Sequence, residues 1–223
     1  MRATFVSILP LAVVVMVSPV NIVAAILLLF TQRPIANASS YLAGFVVGVG
    51  GMLAALVALA EAVDLTGGSG PSRTASIIRI ALGGYLVVAG LSKFRGRPRA
   101  GETAPTPKWM AGISAFAPPK SFATGVLVGA LNPKNIAVGV AAALSIAAAG
   151  LSASQQVGVG ALYVLVAILG VAAPILVVVL LGDRGDRVIE SWKRWLELNS
   201  GTVMAVIYFA FGVVLLGNGL AGL

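Results

Sequence analysis

Apolar residues along this chain gather into six long runs, with polar residues confined to the stretches between them. The runs are Phe5 to Thr31, Ala38 to Glu61, Thr74 to Lys93, Ser121 to Ala148, Gln155 to Leu181 and Gly201 to Leu220. Crossing a bilayer takes about 20 apolar residues as a helix. The pattern therefore predicts an all-α integral membrane protein with six transmembrane helices. Two polar segments stand out. Residues 94–120 form a loop rich in proline and basic residues. Residues 187–198 form a short amphipathic stretch, with Val188, Trp192, Trp195, Leu196 and Asn199 on one face at helical spacing. That stretch reads as an interfacial helix with its tryptophans at headgroup depth, either a plain anchored connector or a lipid-entry or gating element.

Two of the six runs are interrupted at their centres. The fourth contains Asn132-Pro133-Lys134-Asn135 and the first contains Ser18-Pro19-Val20-Asn21. Proline has no N–H to give a helix, so Pro133 frees the carbonyl of Gly129 and Pro19 frees that of Val15. The residue before each proline is pushed away from helical geometry. Freed backbone groups inside a bilayer must line a cavity or find protein partners. Lys134 is the one charged residue near the middle of any run. Broken helices with exposed carbonyls, amides and an ammonium at this depth mark a substrate site in secondary transporters.

The interruptions also reveal an internal repeat. Pro19-Val20-Asn21-Ile22 and Pro133-Lys134-Asn135-Ile136 share P-x-N-I at an offset of 114. Near the same offset, Ala38-Ser39-Ser40 resembles Ala153-Ser154-Gln155. Each unit holds three spans, an odd number, so the second must enter the membrane from the opposite side. The expectation is two inverted three-helix repeats, residues 1–93 and 121–223, joined by a basic cytoplasmic loop, 94–120, with broken helices 1 and 4.

Composition agrees with the membrane reading. The chain has 223 residues, of which 59% are hydrophobic and 10% charged, against about 25% charged in soluble proteins. Its net charge of +8 would point to nucleic acid in a soluble chain. Here the basic residues lie between spans, where topology and anionic lipid explain them, so no nucleic-acid partner is expected. Placing Arg33, Lys93, Arg95, Arg97, Arg99, Lys108, Lys120, Arg184, Arg187, Lys193 and Arg194 inside puts both termini outside. Arg2 and the apolar stretch after it resemble a signal peptide, but the run continues to Phe30, so a retained span is expected. Cysteine and histidine are absent, which removes thiol chemistry and the commonest metal ligands. With no catalytic acid at the midplane either, neither an enzyme nor a bound metal or cofactor is expected.

The candidate transport residues are thus Ser18, Pro19, Asn21, Asn132, Pro133, Lys134 and Asn135. Lys134 either faces a hydrated cavity and an anionic cargo group or is pinned by carbonyls of the broken helix; the first is favoured. Glu61, Asp64, Arg73 and Arg79 gather at the outer face as surface ion pairs, with Glu61, Asp64 and Arg79 as candidates for an extracytoplasmic gate. Gly44-x-x-x-Gly48 and Gly125-x-x-x-Gly129 predict close helix contacts, within one subunit or across a homodimer.

Six spans, an inverted three-helix repeat, a first-helix S-P and a fourth-helix N-P-K resemble the lysine-exporter (LysE-type) superfamily. The long basic loop ending in Ala115-Phe116-Ala117-Pro118-Pro119-Lys120 is similar to its actinobacterial GAP-like branch, which includes the glycopeptidolipid- and sulfolipid-addressing proteins of mycobacteria. Many superfamily members carry S-P-G-P in the first helix. This chain carries Ser18-Pro19-Val20-Asn21, a departure that weighs against an amino-acid cargo. The resemblance implies export across the inner (plasma) membrane of a lipid or glycolipid, with an anionic cargo expected and envelope-lipid machinery as an expected partner. Export of an amino acid or other small solute, and a non-transporting scaffold for envelope-lipid assembly, are the alternatives.

Overall fold

In the computed structural model, which describes residues 2–62, 73–96, 112–113 and 115–223, these residues form eight α-helices. They are α1 Arg2–Met16, α2 Pro19–Leu29, α3 Pro34–Ala62, α4 Arg73–Arg95, α5 Pro118–Leu131, α6 Pro133–Ala147, α7 Ala153–Leu181 and α8 Asp183–Leu220. Proline opens four of them, because the first helical position needs no N–H and favours the φ that proline fixes. Helices α3, α4, α7 and α8 are long and apolar enough to cross a membrane. The pairs α1–α2 and α5–α6 are bent by 50° and 57° at their breaks, and they bring the number of spans to six if each pair is one span. The chain is a multi-pass, all-helical membrane protein.

Small residues set the packing. The glycines of the two G-x-x-x-G motifs are used within the chain. Gly44 and Gly48 lie against the backbone of Phe122 and Val126, while Gly125 and Gly129 lie against that of Tyr41 and Phe45. Residue numbers rise together along this seam, so α3 and α5 run parallel. Gly170 of α7 lies in the same way against the Met16 carbonyl of α1. Gly83, Gly90 and Gly219 bring α4 and α8 together, with Gly83 beside Gly212, Gly90 beside Ala205 and Gly219 beside Ser76; these two helices are antiparallel. Helices α3 and α7 are also antiparallel, since Gly50 approaches Val164 and Leu53 approaches Gly160. Without side chains at these contacts the backbones come close enough for dispersion to hold them where lipid offers no hydrophobic drive.

Two expectations need correction. The amphipathic stretch 187–198 is not a separate helix: α8 runs unbroken from Asp183 to Leu220, about 57 Å at 1.5 Å per residue. The polar Asn199-Ser200-Gly201 contains no proline, so every N–H is available and the helix continues at a cost of about 1 kcal/mol for glycine. Its reversal from α7 is made at Gly182 (φ 51°), and Gly185 packs on Val177 and Val178. Ile189 and Leu196 pack with Ile26 of α2, while Trp192 and Trp195 point outward. The second correction concerns the basic loop, of which residues 97–111 and 114 lie outside the described residues. Its last part is built into the fold. Ile113 is buried in the core, and α5 already starts at Pro118, so Lys120 belongs to that helix.

Candidate functional site

Both proline breaks come to the same place in the interior. At the second, α5 ends at Leu131 and α6 starts at Pro133, with Asn132 extended between them. Asn132 Oδ1 caps the new helix by accepting from the Lys134 N–H at 3.0 Å, the usual role of asparagine before a first turn. The carbonyl that Pro133 orphans is recovered by a side chain. Asn135 Nδ2 donates to Gly129 O at 3.1 Å and to Val128 O at 3.2 Å. Asn135 thus ties the end of α5 to the start of α6 across the bend.

At the first break the arrangement differs. Val17 N–H closes on Val13 O at 3.0 Å, and Pro19 has no N–H for Val15 O. Val14 O, between these two, accepts from Lys134 Nζ at 2.7 Å. Lys134 is 1% exposed. A cation at the carbonyl end of a half-helix meets the negative pole of its dipole, which offsets part of the cost of burial. Of the two expectations for Lys134, the hydrated cavity is not the one seen: the side chain is held by a backbone carbonyl, that of the opposite break. The reason lies in that break itself, which leaves an acceptor within reach.

Ser18 and Asn21 are buried, and Ser18 Oγ and both amide atoms of Asn21 have no hydrogen-bond partner. Asn135 Oδ1 and the hydroxyls of Tyr41 and Tyr163 are likewise buried and unpartnered. The two tyrosines escaped the sequence reading. Their signal was Tyr41-x6-Gly48 and Tyr163-x6-Gly170, at an offset of 122. The drift from 114 has a partial structural source, since α6 has 15 residues and α2 has 11. Asn37 was also missed. Its Nδ2 donates to Thr31 Oγ1 and to Phe116 O, both at 2.8 Å, joining the exit of α2 to the entry of α5.

A cleft of about 410 Å³ lies at the second break. Asn132, Pro133 and Val128 line it, together with Val20 of the first break and Phe116. Leu127 and Leu131 form its rim and belong to the exposed apolar exterior. Lys120 stands near it, its Nζ 4.3 Å from the Phe116 ring centre, a cation–π distance. A larger groove of about 670 Å³ runs between α3 and α7 and is apolar except for Glu61 and Gln156 at one end. There Gln156 Nε2 donates to Glu61 Oε1 at 2.6 Å. Of the gate candidates, Glu61 therefore has an amide of the second half as its partner, Arg79 is partly buried on α4, and Asp64 lies outside the described residues. Among the described residues no group of acidic side chains could hold a metal ion.

The sequence model of one family, described as Sap, sulfolipid-1-addressing protein, matches residues 8–221. The chain belongs to that family. No curated protein and no solved structure matches it.

Proposed function

We propose that this member of the sulfolipid-1-addressing family is a secondary transporter of the plasma membrane that moves an anionic lipid or glycolipid toward the outer leaflet. The observation that carries this reading is the cleft at the second break. It is mostly apolar, lined by Asn132 and Pro133 of the second break and Val20 of the first, with the exposed Leu127 and Leu131 at its rim. A small-solute exporter calls for a closed polar chamber; a lipid carrier calls for a largely apolar cleft that opens sideways beside a few polar groups, so that the head group enters while the chains stay in the bilayer. The family name points to a lipid role as well.

Helix directions support an inverted repeat. In that scheme α1 to α4 correspond to α5 to α8. The parallel pair α3–α5 then has α7–α1 as its counterpart, and both seams are closed by glycine against backbone. The antiparallel pairs α4–α8 and α3–α7 each map onto themselves. Two such halves rocking about the breaks would expose the cleft to each leaflet in turn. Lys134 would attract the head group, Asn132 and Asn135 would offer amide contacts, and an ion gradient or partner envelope-lipid machinery would supply energy. The scheme fits the lysine-exporter superfamily and needs no catalytic group.

Comparative lipidomics of the outer envelope tests the reading, using wild-type protein, a deletion and Lys134→Ala. The expected result is loss of one anionic lipid from the surface, with its accumulation inside, in both the deletion and the variant. If Lys134→Ala inserts normally and leaves surface lipids as in the wild type, the protein is an accessory scaffold. If an intracellular metabolite accumulates instead of a lipid, it exports a small solute.

A further inference from the structure

The two breaks have equivalent backbones but unequal caps. At the 114-residue offset, Asn135 corresponds to Asn21, and its acceptors Val128 O and Gly129 O correspond to Val14 O and Val15 O. Asn135 holds its pair. Asn21 holds nothing: it is fully buried and neither amide atom has a partner. The acceptor that would be its own, Val14 O, is taken by Lys134 Nζ from the other half. The equivalent of Lys134 in the first half is Val20, which cannot repay the exchange. A buried amide without partners is costly, so its retention calls for a state in which it is used.

We infer that Asn21 and Lys134 are alternative donors to Val14 O. When an oxyanion head group draws the Lys134 ammonium away, the Asn21 amide closes on Val14 O and Val15 O, as Asn135 does on Val128 O and Gly129 O. The first break then becomes self-capped like the second, and the link between the two halves is released. Asn21 is thus a positioning residue. It does not touch the ligand, but it removes the penalty of an orphaned helix end that ligand binding would otherwise incur. The ligand class is an oxyanion, sulfate, phosphate or carboxylate. Binding and release of the halves are coupled through one carbonyl, because the same ammonium cannot serve both acceptors. This inference rests on the function proposed above and on the repeat relation between the breaks.

The test is ligand binding by the full chain in bilayer nanodiscs of phosphatidylcholine. One arm adds a sulfated glycolipid or phosphatidic acid to the bilayer; the other adds inorganic sulfate or phosphate to the buffer. Asn21→Leu is the informative variant, since leucine is close in volume and cannot donate. It is expected to weaken binding about tenfold, equal to about 1.4 kcal/mol. In the same variant the ligand-free protein should unfold at the wild-type temperature or above it, because an unpartnered amide has been removed. A merely structural asparagine would lose thermal stability. Asn21→Ser, which keeps a donor, should recover part of the affinity. Wild-type affinity in Asn21→Leu, with binding lost in Lys134→Met, overturns the exchange and leaves the transport reading standing. Unchanged binding in Lys134→Met overturns both. An Asn21-dependent response to the lipid alone supports a head group as ligand. The same response to the inorganic ion alone supports the exchange with a free oxyanion and overturns the lipid as its trigger.

Discussion

At the second break the end of α5 is closed from within its own half, by Asn135 on Val128 O and Gly129 O. At the first, the end of α1 is closed from outside, by a lysine of the opposite half on Val14 O. The sequences share P-x-N-I, so local chemistry does not separate them. The difference comes from one position inside the motif, valine at 20 and lysine at 134. Self-capping makes a bend that is stable by itself. Capping by a partner makes a bend whose stability depends on how the halves are arranged, and such a contact can be exchanged as they move. The first break is therefore expected to be the mobile one and the second the fixed pivot.

The largest effect should come from the seams that hold each break in place. In Gly125→Leu the new side chain meets the backbone of Tyr41 and Phe45; in Gly170→Leu it meets Met16 O. Neither neighbour is a flexible side chain, so the helices must separate, at a cost of several kcal/mol of overpacking and lost contact. Both variants should show a sharp fall in unfolding temperature in detergent. Gly84→Leu, with open space around it, should not. Equal loss at 125 and 170 would support equivalent seams; a tolerant Gly170 would mean that α1 is held elsewhere.

Lys134→Met comes next and separates activity from stability. Losing the lysine removes a donor from Val14 O, which costs about 1–3 kcal/mol, while the Asn21 amide is free to take its place and a buried charge is also removed, both of which offset that cost. Unfolding temperature should change little, and surface display of the lipid should fall at least tenfold. A large fall in stability with transport retained would reverse the assignment of the two roles.

Much of this was legible in the chain. Helix positions were, because spans are long and apolar and each backbone must satisfy itself. The breaks were, because proline's missing N–H acts locally. That Asn132, Pro133, Lys134 and Asn135 form one knot followed from adjacency. The direction of Lys134 did not, because its partner Val14 O lies 120 residues away and is a backbone atom with no side-chain signature. The continuity of α8 was misread because polar composition at residues 199–201 resembles a stop without supplying one. Tyr41 and Tyr163 were passed over because the repeat offset drifts between breaks and the following helices, and apolar helices match one another at many registers.

Asn135→Leu sharpens the contrast between the breaks. It removes two donations to the α5 end, worth about 0.6 kcal/mol each in typical membrane helices and up to about 1.7. A moderate fall in unfolding temperature is expected, larger than in Asn21→Leu, which removes no bond. If Asn21→Leu destabilises the ligand-free protein as much as Asn135→Leu does, then the first break is self-capped too and the asymmetry is lost.

The smallest effect is expected at Glu61, whose bond from Gln156 joins the end of α3 to the start of α7. Glu61 is exposed, Gln156 is half-buried and the bond between them is open to water, so water competes for it and the link contributes little. Glu61→Gln keeps an oxygen that can accept from Gln156 Nε2 while removing the charge. Transport by this variant should match the wild type within about twofold, and unfolding temperature should be unchanged. If the ammonium at the break is the contact exchanged during transport, an exposed carboxylate at the helix ends has no charge to hand on. Should Glu61→Gln lose most of its transport while still folding, the groove between α3 and α7 would be gated at that end, and the pivot would lie between those helices rather than at the second break.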